Sequence, residues 1–198
     1  CLAAQAFVLS RLGRHAEALS LAGEQLAMAE RMDSAAPAAR ARHDAGLISL
    51  AAGRYAEAAQ LLEQALAEGA EVSRPAARLA RAEALARSGR LDEAAAEVRR
   101  GALEPVRGSD QPWALVPRMA RVQGLIALAR GDRVQGRRRL TEAATGWRRH
   151  LGHDAGAEFV ANFVDLGRPP IVGLVEPDWE LRRLTAELAE LDEFTEVS

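Results

Sequence analysis

The sequence predicts an all-α fold of about four helical hairpins in a row, followed by C-terminal capping helices. Apolar residues recur at three- and four-residue spacing along most of the 198-residue chain. Four glycines interrupt this pattern, and each lies between two helical stretches: Gly13, Gly53, Gly89 and Gly131. A tight corner between two helices needs a left-handed residue, which glycine adopts at little cost. Each of these glycines therefore predicts the turn of a hairpin.

The hairpin around Gly53 shows the pattern most clearly, because residues 42–52 and 54–67 each place their apolar side chains on one helical face. The same reasoning extends to the stretches around the other three turn glycines. The predicted helices run over residues 2–12, 14–32, 36–52, 54–68, 74–88, 90–103, 113–130 and 132–149.

Small residues recur at fixed distances from each turn glycine, where the two helices of a hairpin must approach. Seven positions before the glycine stand Ala6, Gly46, Ala82 and Gly124, and five positions after it stand Ala18, Ala58, Ala94 and Gly136. Twelve positions after it stand Ala65, Gly101 and Ala143, whereas the first hairpin has Gln25.

This skeleton resembles the tetratricopeptide repeat, and the second copy, with Gly46, Tyr55, Ala58 and Ala65, matches best. The resemblance covers residues 1–150. The turn glycines are 36 to 42 residues apart, which is longer than the family's repeat of about 34 residues. Membership would imply a right-handed α-α superhelix.

In tetratricopeptide arrays the first helices of successive hairpins line a concave groove that binds a protein or peptide. Carrying the family's groove-facing spacing onto this chain selects Phe7, Ser10, Arg11, Arg40, His43, Leu47, Leu50, Leu79, Glu83, Ala86, Arg87, Arg118, Arg121, Leu125 and Leu128. Six of these residues are cationic or become so on protonation, against one Glu. Because Arg binds carboxylates with two hydrogen bonds, the groove is expected to favour an acidic, partly apolar segment. The alternative is that a neighbouring segment or another domain of the same protein fills the groove.

Residues 151–198 no longer follow the repeat pattern. Residues 155–166 have an apolar helical face, residues 167–177 predict an extended proline-rich connector, and Asp178 is placed to cap a last helix. We expect that helix to cap the array, the alternative being a linker into a following domain. Its apolar stripe consists of Leu181, Leu184, Leu188 and Leu191. The sequence begins within a helical pattern and without Met, which suggests a fragment of a larger protein.

The sequence contains no nucleophile elbow and no phosphate-binding glycine loop, so neither an enzyme nor a cofactor site is expected. The carboxylates of Glu57, Glu63, Glu93 and Glu97 are predicted to lie on solvated helix faces. The cluster of His150, His153 and Asp154 is expected to cap a helix end rather than to bind metal, because a zinc site needs about four ligands. The arginines at 137–139, 148 and 149 predict a solvated face on which Glu142 pairs with Arg138 or Arg139.

All 26 basic residues are Arg, and the net charge of -2 gives no general attraction to nucleic acid or to an anionic membrane. The single cysteine excludes an internal disulfide and favours a cytoplasmic location. The absence of Lys is typical of high-GC bacterial genomes. Together with the resemblance to tetratricopeptide arrays, this composition leads us to expect a non-catalytic scaffold module of a larger bacterial regulatory protein. The alternatives are the sensory repeat region of a LuxR-type signalling ATPase and transcriptional activator, and a repeat region that precedes a caspase-like protease domain.

Overall fold

The computed structural model describes residues 2–32, 34–68, 74–105, 112–151, 180 and 182–191, and all regular secondary structure in these residues is α-helical. Residues 182–191 form a helix that we name the C-terminal helix. The expected all-α repeat fold is confirmed. Eight helices precede the C-terminal helix in the described residues, and their bounds lie within two residues of those predicted. These helices are α1 (Leu2–Arg11), α2 (His15–Glu30), α3 (Ala35–Ala51), α4 (Tyr55–Ala67), α5 (Arg74–Arg87), α6 (Leu91–Leu103), α7 (Pro112–Ala129) and α8 (Arg133–Leu151).

The chain divides into two compact units, residues 1–110 (unit 1) and residues 111–198 (unit 2). Unit 1 contains the hairpins α1–α2, α3–α4 and α5–α6, and unit 2 contains the hairpin α7–α8 and the C-terminal helix. The expected boundary between array and cap near residue 150 stays a prediction. The helix expected at 155–166 and the connector expected at 167–177 lie outside the described residues.

Each hairpin turns at its predicted glycine with the same hydrogen-bonded corner. The four glycines have φ between 76° and 84°, in the left-handed region. At the second corner the Gly53 N–H donates to the Leu50 carbonyl at 3.1 Å, and the Arg54 N–H donates to the Ser49 carbonyl at 2.9 Å. Equivalent pairs of bonds close the other three corners. This is the Schellman arrangement, which satisfies carbonyls that the end of a helix leaves without partners.

Small residues at the predicted positions allow the two helices of each hairpin to pack closely. A Cβ atom added at Gly46 would lie 2.8 Å from Leu62 Cγ, and one added at Gly136 would lie 2.5 Å from Leu128 Cγ. Every other small residue of the skeleton is buried as well. Gln25, which occupies the position where the first hairpin departs from the pattern, is half-buried.

Unit 1 is built by stacking hairpins. Besides the contacts within each hairpin, α2 packs on α3 and α4 packs on α5, and the first helices contact one another in the order α1, α3, α5. One buried cluster joins the first two hairpins and consists of Ala6, Ala18, Ala22, Ala45 and Ile48. The three first helices therefore lie side by side, which brings their predicted groove residues onto neighbouring helices of one unit.

Unit 2 has a core to which the C-terminal helix contributes. Trp147 and Leu140 of α8 and Leu184 of the C-terminal helix are fully buried in one cluster. Leu188 and Leu191 of the expected apolar stripe pack against the same cluster. The C-terminal helix thus covers an apolar face of the last hairpin.

Candidate partner-binding surface

The first helices of unit 1 place the predicted groove residues at different depths. Phe7, Leu47 and Leu50 are half-buried, so each presents part of an apolar side chain to the surface. Arg11 is half-buried and Arg87 is exposed. The other predicted residues of α1 and α5 lie in the interior and do not form a surface: Ser10, Leu79, Glu83 and Ala86.

A buried carboxylate organises the centre of this surface. Asp44 of α3 is buried, and its Oδ1 lies 3.5 Å from Arg40 Nε and 3.3 Å from His43 Nδ1. Its Oδ2 accepts a hydrogen bond of 3.4 Å from the Gln25 side chain on α2. Two of the predicted groove cations, Arg40 and His43, therefore lie beside an internal anion, which reduces the positive charge that the sequence predicted.

Arg40 nevertheless presents its charge to solvent. Its side chain is 63% exposed, whereas that of His43 is 14% exposed. A guanidinium has five N–H donors, and the contact of Arg40 with Asp44, at 3.5 Å, involves one of its nitrogens. The other N–H groups can donate hydrogen bonds to a second carboxylate. That Arg40 binds a carboxylate of a partner stays a prediction.

The expectation that Glu97 lies on a solvated face is wrong. Its side chain is 1% exposed because it lies between Ala94 and Gly101, on the face of α6 that packs against α5. The position is inside the hairpin, and buried carboxylates in proteins are paired. The ion pairs to Glu97 come from Arg78 at 3.1 Å, Arg81 at 2.9 Å and Arg100 at 2.6 Å.

The same network continues to the end of α6. Arg78 donates a hydrogen bond of 2.9 Å to Glu104, and Arg74 Nε lies 3.5 Å from the same carboxylate oxygen. The hydrogen bond from Arg78 holds the pKa of Glu104 below its usual value, and the positive charges of Arg74 and Arg78 add to that effect. These arginines of α5 are thus engaged within unit 1 and stabilise the packing of α5 on α6.

The remaining acidic residues predicted to be solvated are exposed, as expected: Glu57, Glu63 and Glu93. Glu93 pairs with Arg90 at the start of α6, and the hydrogen bond from Arg90 lowers the pKa of Glu93. In unit 2 Glu142 pairs with Arg139 at 2.8 Å and lies 3.8 Å from Arg138, which confirms the predicted pairing on that face.

In unit 2 the predicted groove residues of α7 are half-buried or buried. Arg121 is 3% exposed and donates hydrogen bonds to both carboxylate oxygens of Glu187, at 2.6 Å and 3.3 Å. Arg118, Leu125 and Leu128 are half-buried, and Leu128 packs against the unit 2 core. Arg121 therefore already binds a carboxylate, and that carboxylate belongs to the chain itself.

Sequence reasoning missed Asp44 and Glu187, each of which pairs with a predicted groove cation. A local signal existed for Asp44, because Arg40 and Asp44 are four residues apart on one helix. No local signal existed for Glu187, which is separated from Arg121 by 66 residues. Both omissions made the groove look more positive than it is.

The described residues have neither a metal-binding cluster nor a membrane-spanning helix. No group of three or more His, Cys, Asp or Glu side chains among them is arranged to hold a metal ion. No helix in the described part of the chain has the length and apolar character needed to cross a bilayer. His153 and Asp154, and the side chain of His150, lie outside what the structure describes.

Comparison with known proteins gives two matches to models of one repeat. Models described as tetratricopeptide repeat match residues 49–116 and residues 1–24. The matched ranges contain the turn glycines Gly13, Gly53 and Gly89, all of which belong to unit 1. No curated protein matches the chain. The matches thus fall mainly on the unit in which three hairpins are stacked.

Proposed function

Because the chain carries a tetratricopeptide-repeat helical array, a scaffold for protein–protein interaction, we propose that unit 1 binds an acidic, partly apolar protein segment along α1, α3 and α5. The observation that carries this proposal is the position of Arg40, which is exposed on the central one of three adjacent first helices. The bound segment lies across these helices, with a carboxylate on Arg40.

Charge and burial together define the segment that fits. Leu47 and Leu50 follow Arg40 on α3 and are half-buried, so apolar side chains of a partner gain contact area there. The carboxylate of Asp44 is buried beneath the surface, where it holds Arg40 and His43 without facing the partner directly. A segment with a few carboxylates among leucine-like residues is therefore favoured over a densely acidic one.

We further propose that this scaffold is a module of a larger bacterial regulatory protein and that it works in the cytoplasm. The use of Arg at all 26 basic positions supports a bacterial origin, and the single cysteine supports a reducing compartment. The module contributes binding, and no step of catalysis is assigned to it.

The binding proposal is tested by titrating the 198-residue chain with a fluorescent peptide of interspersed Glu and Leu, and with a control peptide in which each Glu is Gln. Arg40→Glu is expected to weaken binding of the acidic peptide by about tenfold or more, because a charge-assisted hydrogen bond is replaced by repulsion. Arg99→Glu is the matched control, because it makes the same charge change at an exposed position outside the proposed surface. Arg99 lies on α6, the second helix of the third hairpin.

The wild-type chain should bind the Glu peptide at least about tenfold more tightly than the Gln peptide. Equal affinity of the two peptides, or equal weakening by Arg40→Glu and Arg99→Glu, would show that a basic surface on α3 does not select the partner.

A further inference from the structure

The contact between the C-terminal helix and the last hairpin includes an apolar stripe and a buried ion pair. Leu184 is fully buried, and Leu188 and Leu191 pack against the same cluster. Glu187 lies on the same side of the helix, 14% exposed, and accepts both hydrogen bonds from Arg121. The other side of the helix faces solvent, because Thr185, Ala186, Ala189 and Glu190 are exposed.

The face of α7–α8 under this helix combines apolar surface with a cation. Ala114, Leu140 and Trp147 form the apolar part, and the guanidinium of Arg121 is 3% exposed within unit 2. A charged group buried to that extent is stable only with an opposite charge beside it. The face is thus complementary to an amphipathic helix that has leucines at three- and four-residue spacing and a carboxylate directly before the second of them.

The chain itself supplies a helix of this kind from a distant segment, since 66 residues separate Arg121 from Glu187. The helix spans residues 182–191 and has one fully buried leucine. Elements with few buried apolar contacts open at lower free energy than the core that they cover. α7 and α8, in contrast, pack on each other through Gly124 and Gly136, where a Cβ added at Gly136 would lie 3.3 Å from the Gly124 carbonyl oxygen.

We infer that the C-terminal helix is an internal ligand of unit 2, and that an acidic amphipathic helix of a protein partner binds the same face of α7–α8 in its place. The partner's leucines occupy the positions of Leu184 and Leu188, and its carboxylate accepts the hydrogen bonds of Arg121. This second binding surface is independent of the one proposed on unit 1, because it uses other helices.

Hydrogen exchange of the wild-type chain tests whether the helix detaches. If it opens separately from the rest of unit 2, amides of residues 182–191 should exchange at least about tenfold faster than the most protected amides of α7 and α8. Equal protection of the three helices would overturn the proposal, because the C-terminal helix would then open only when unit 2 unfolds.

Binding of a second helix is tested with a labelled peptide of residues 180–191, ELRRLTAELAEL, added to the full chain. Leu184→Ala in the chain weakens the packing of the C-terminal helix on α7–α8. The affinity of the peptide for this variant should then be at least about tenfold higher than its affinity for wild type. Leu188→Ala, which removes a less buried side chain, gives a milder second test if Leu184→Ala prevents folding.

The peptide itself provides the matched control. Glu187→Arg in the peptide should abolish binding, because it places a cation on Arg121, whereas Glu190→Arg, at an exposed position of the same helix, should leave binding within about twofold. Equal binding of the two peptide variants, or no gain in affinity with either chain variant, would overturn the inference. Neither result depends on whether the Glu and Leu peptide binds unit 1.

Discussion

The position ten residues before the turn glycine has a different partner in the second hairpin, which belongs to unit 1, and in the hairpin of unit 2. In the second hairpin it is His43, whose side chain is 14% exposed and lies 3.3 Å from the carboxylate of its neighbour Asp44. In unit 2 it is Arg121, which is 3% exposed and pairs at 2.6 Å with Glu187 of the C-terminal helix. The repeat register places both side chains on the first helix of a hairpin. What each side chain binds depends on which segment packs there.

This difference distinguishes the surface of α3, on which Arg40 stays exposed, from the surface of α7–α8, which the C-terminal helix covers. On α3 the pairing with Asp44 is local and leaves Arg40 exposed to solvent. On α7 the pairing is long-range and comes with the burial of Leu184 and the packing of Leu188. The two proposals follow this difference, with a protein segment as the ligand proposed for unit 1 and a helix, internal or external, as the ligand proposed for unit 2.

The largest expected effect is a loss of stability of unit 2 when the pair of Arg121 and Glu187 is broken. Arg121→Glu places two carboxylates together in a buried site and should lower the free energy of unfolding of unit 2 by about 3–5 kcal/mol. All three tryptophans, Trp113, Trp147 and Trp179, belong to unit 2, so the intrinsic tryptophan fluorescence in a urea titration reports on that unit.

Two controls accompany this measurement. Arg148→Glu makes the same charge change at an exposed position of α8 and should change the midpoint of urea unfolding little. Adding Glu187→Arg to Arg121→Glu reverses the pair and should recover part of the lost stability. A double variant as unstable as Arg121→Glu alone would show that the pairing with Glu187 does not stabilise unit 2.

A smaller effect is expected from close packing at small residues, which the hairpins of both units share. Gly46→Ala should destabilise unit 1 by about 1–3 kcal/mol, because the new methyl group would lie 2.8 Å from Leu62 Cγ, and Leu62 is fully buried. Gly23→Ala is the matched control in α2, where an added Cβ meets nothing within 4 Å. That change should stabilise by about 0.5–1 kcal/mol, since Ala favours helix more than Gly does.

Both variants are measured by circular dichroism at 222 nm during urea unfolding, with tryptophan fluorescence recorded in parallel. Destabilisation by Gly46→Ala should appear in the circular dichroism. If Gly46→Ala and Gly23→Ala shift the transition in the same direction, close approach to Leu62 is not what limits position 46.

The smallest effect concerns the partly exposed ion pairs of unit 1. The hydrogen bond from Arg78 lowers the pKa of Glu104, so the folded state favours the charged carboxylate. The resulting stabilisation is fully present above the unfolded pKa of about 4.3 and is lost as the pH falls through the lower folded pKa. For a pair of this exposure it amounts to about 1 kcal/mol or less.

Urea unfolding of wild type and Glu104→Gln between pH 3 and pH 7, followed by circular dichroism, measures this contribution. The two proteins should differ most near pH 7 and converge at the acid end. A constant difference over the whole range would mean that the charge of Glu104 does not contribute.

Much of the fold follows from local sequence, because the features that set it are local. Positive φ at Gly13, Gly53, Gly89 and Gly131 follows from the geometry of a tight corner, and the helix bounds follow from apolar periodicity around these glycines. The matches to tetratricopeptide-repeat models over residues 1–24 and 49–116 confirm the resemblance that the turn glycines and small residues predicted.

Less of the candidate site was predictable, because its charges depend on contacts between distant residues. Glu97 was expected on a solvated face but is buried with three arginines, since α6 turns that position towards α5. Arg121 was placed on the first helix of its hairpin, yet its pairing with Glu187 depends on how a segment 66 residues away packs. That the predicted groove residues contact a partner stays a prediction.

The central claim, that unit 1 binds an acidic segment along its first helices, is tested most directly by hydrogen exchange of the full chain with and without the Glu and Leu peptide. The peptide should slow exchange in α3, with smaller effects in α1 and α5, and Arg40→Glu should remove this protection while Arg99→Glu retains it. Unchanged exchange in α1, α3 and α5 under conditions where the peptide is bound would contradict the proposed binding surface.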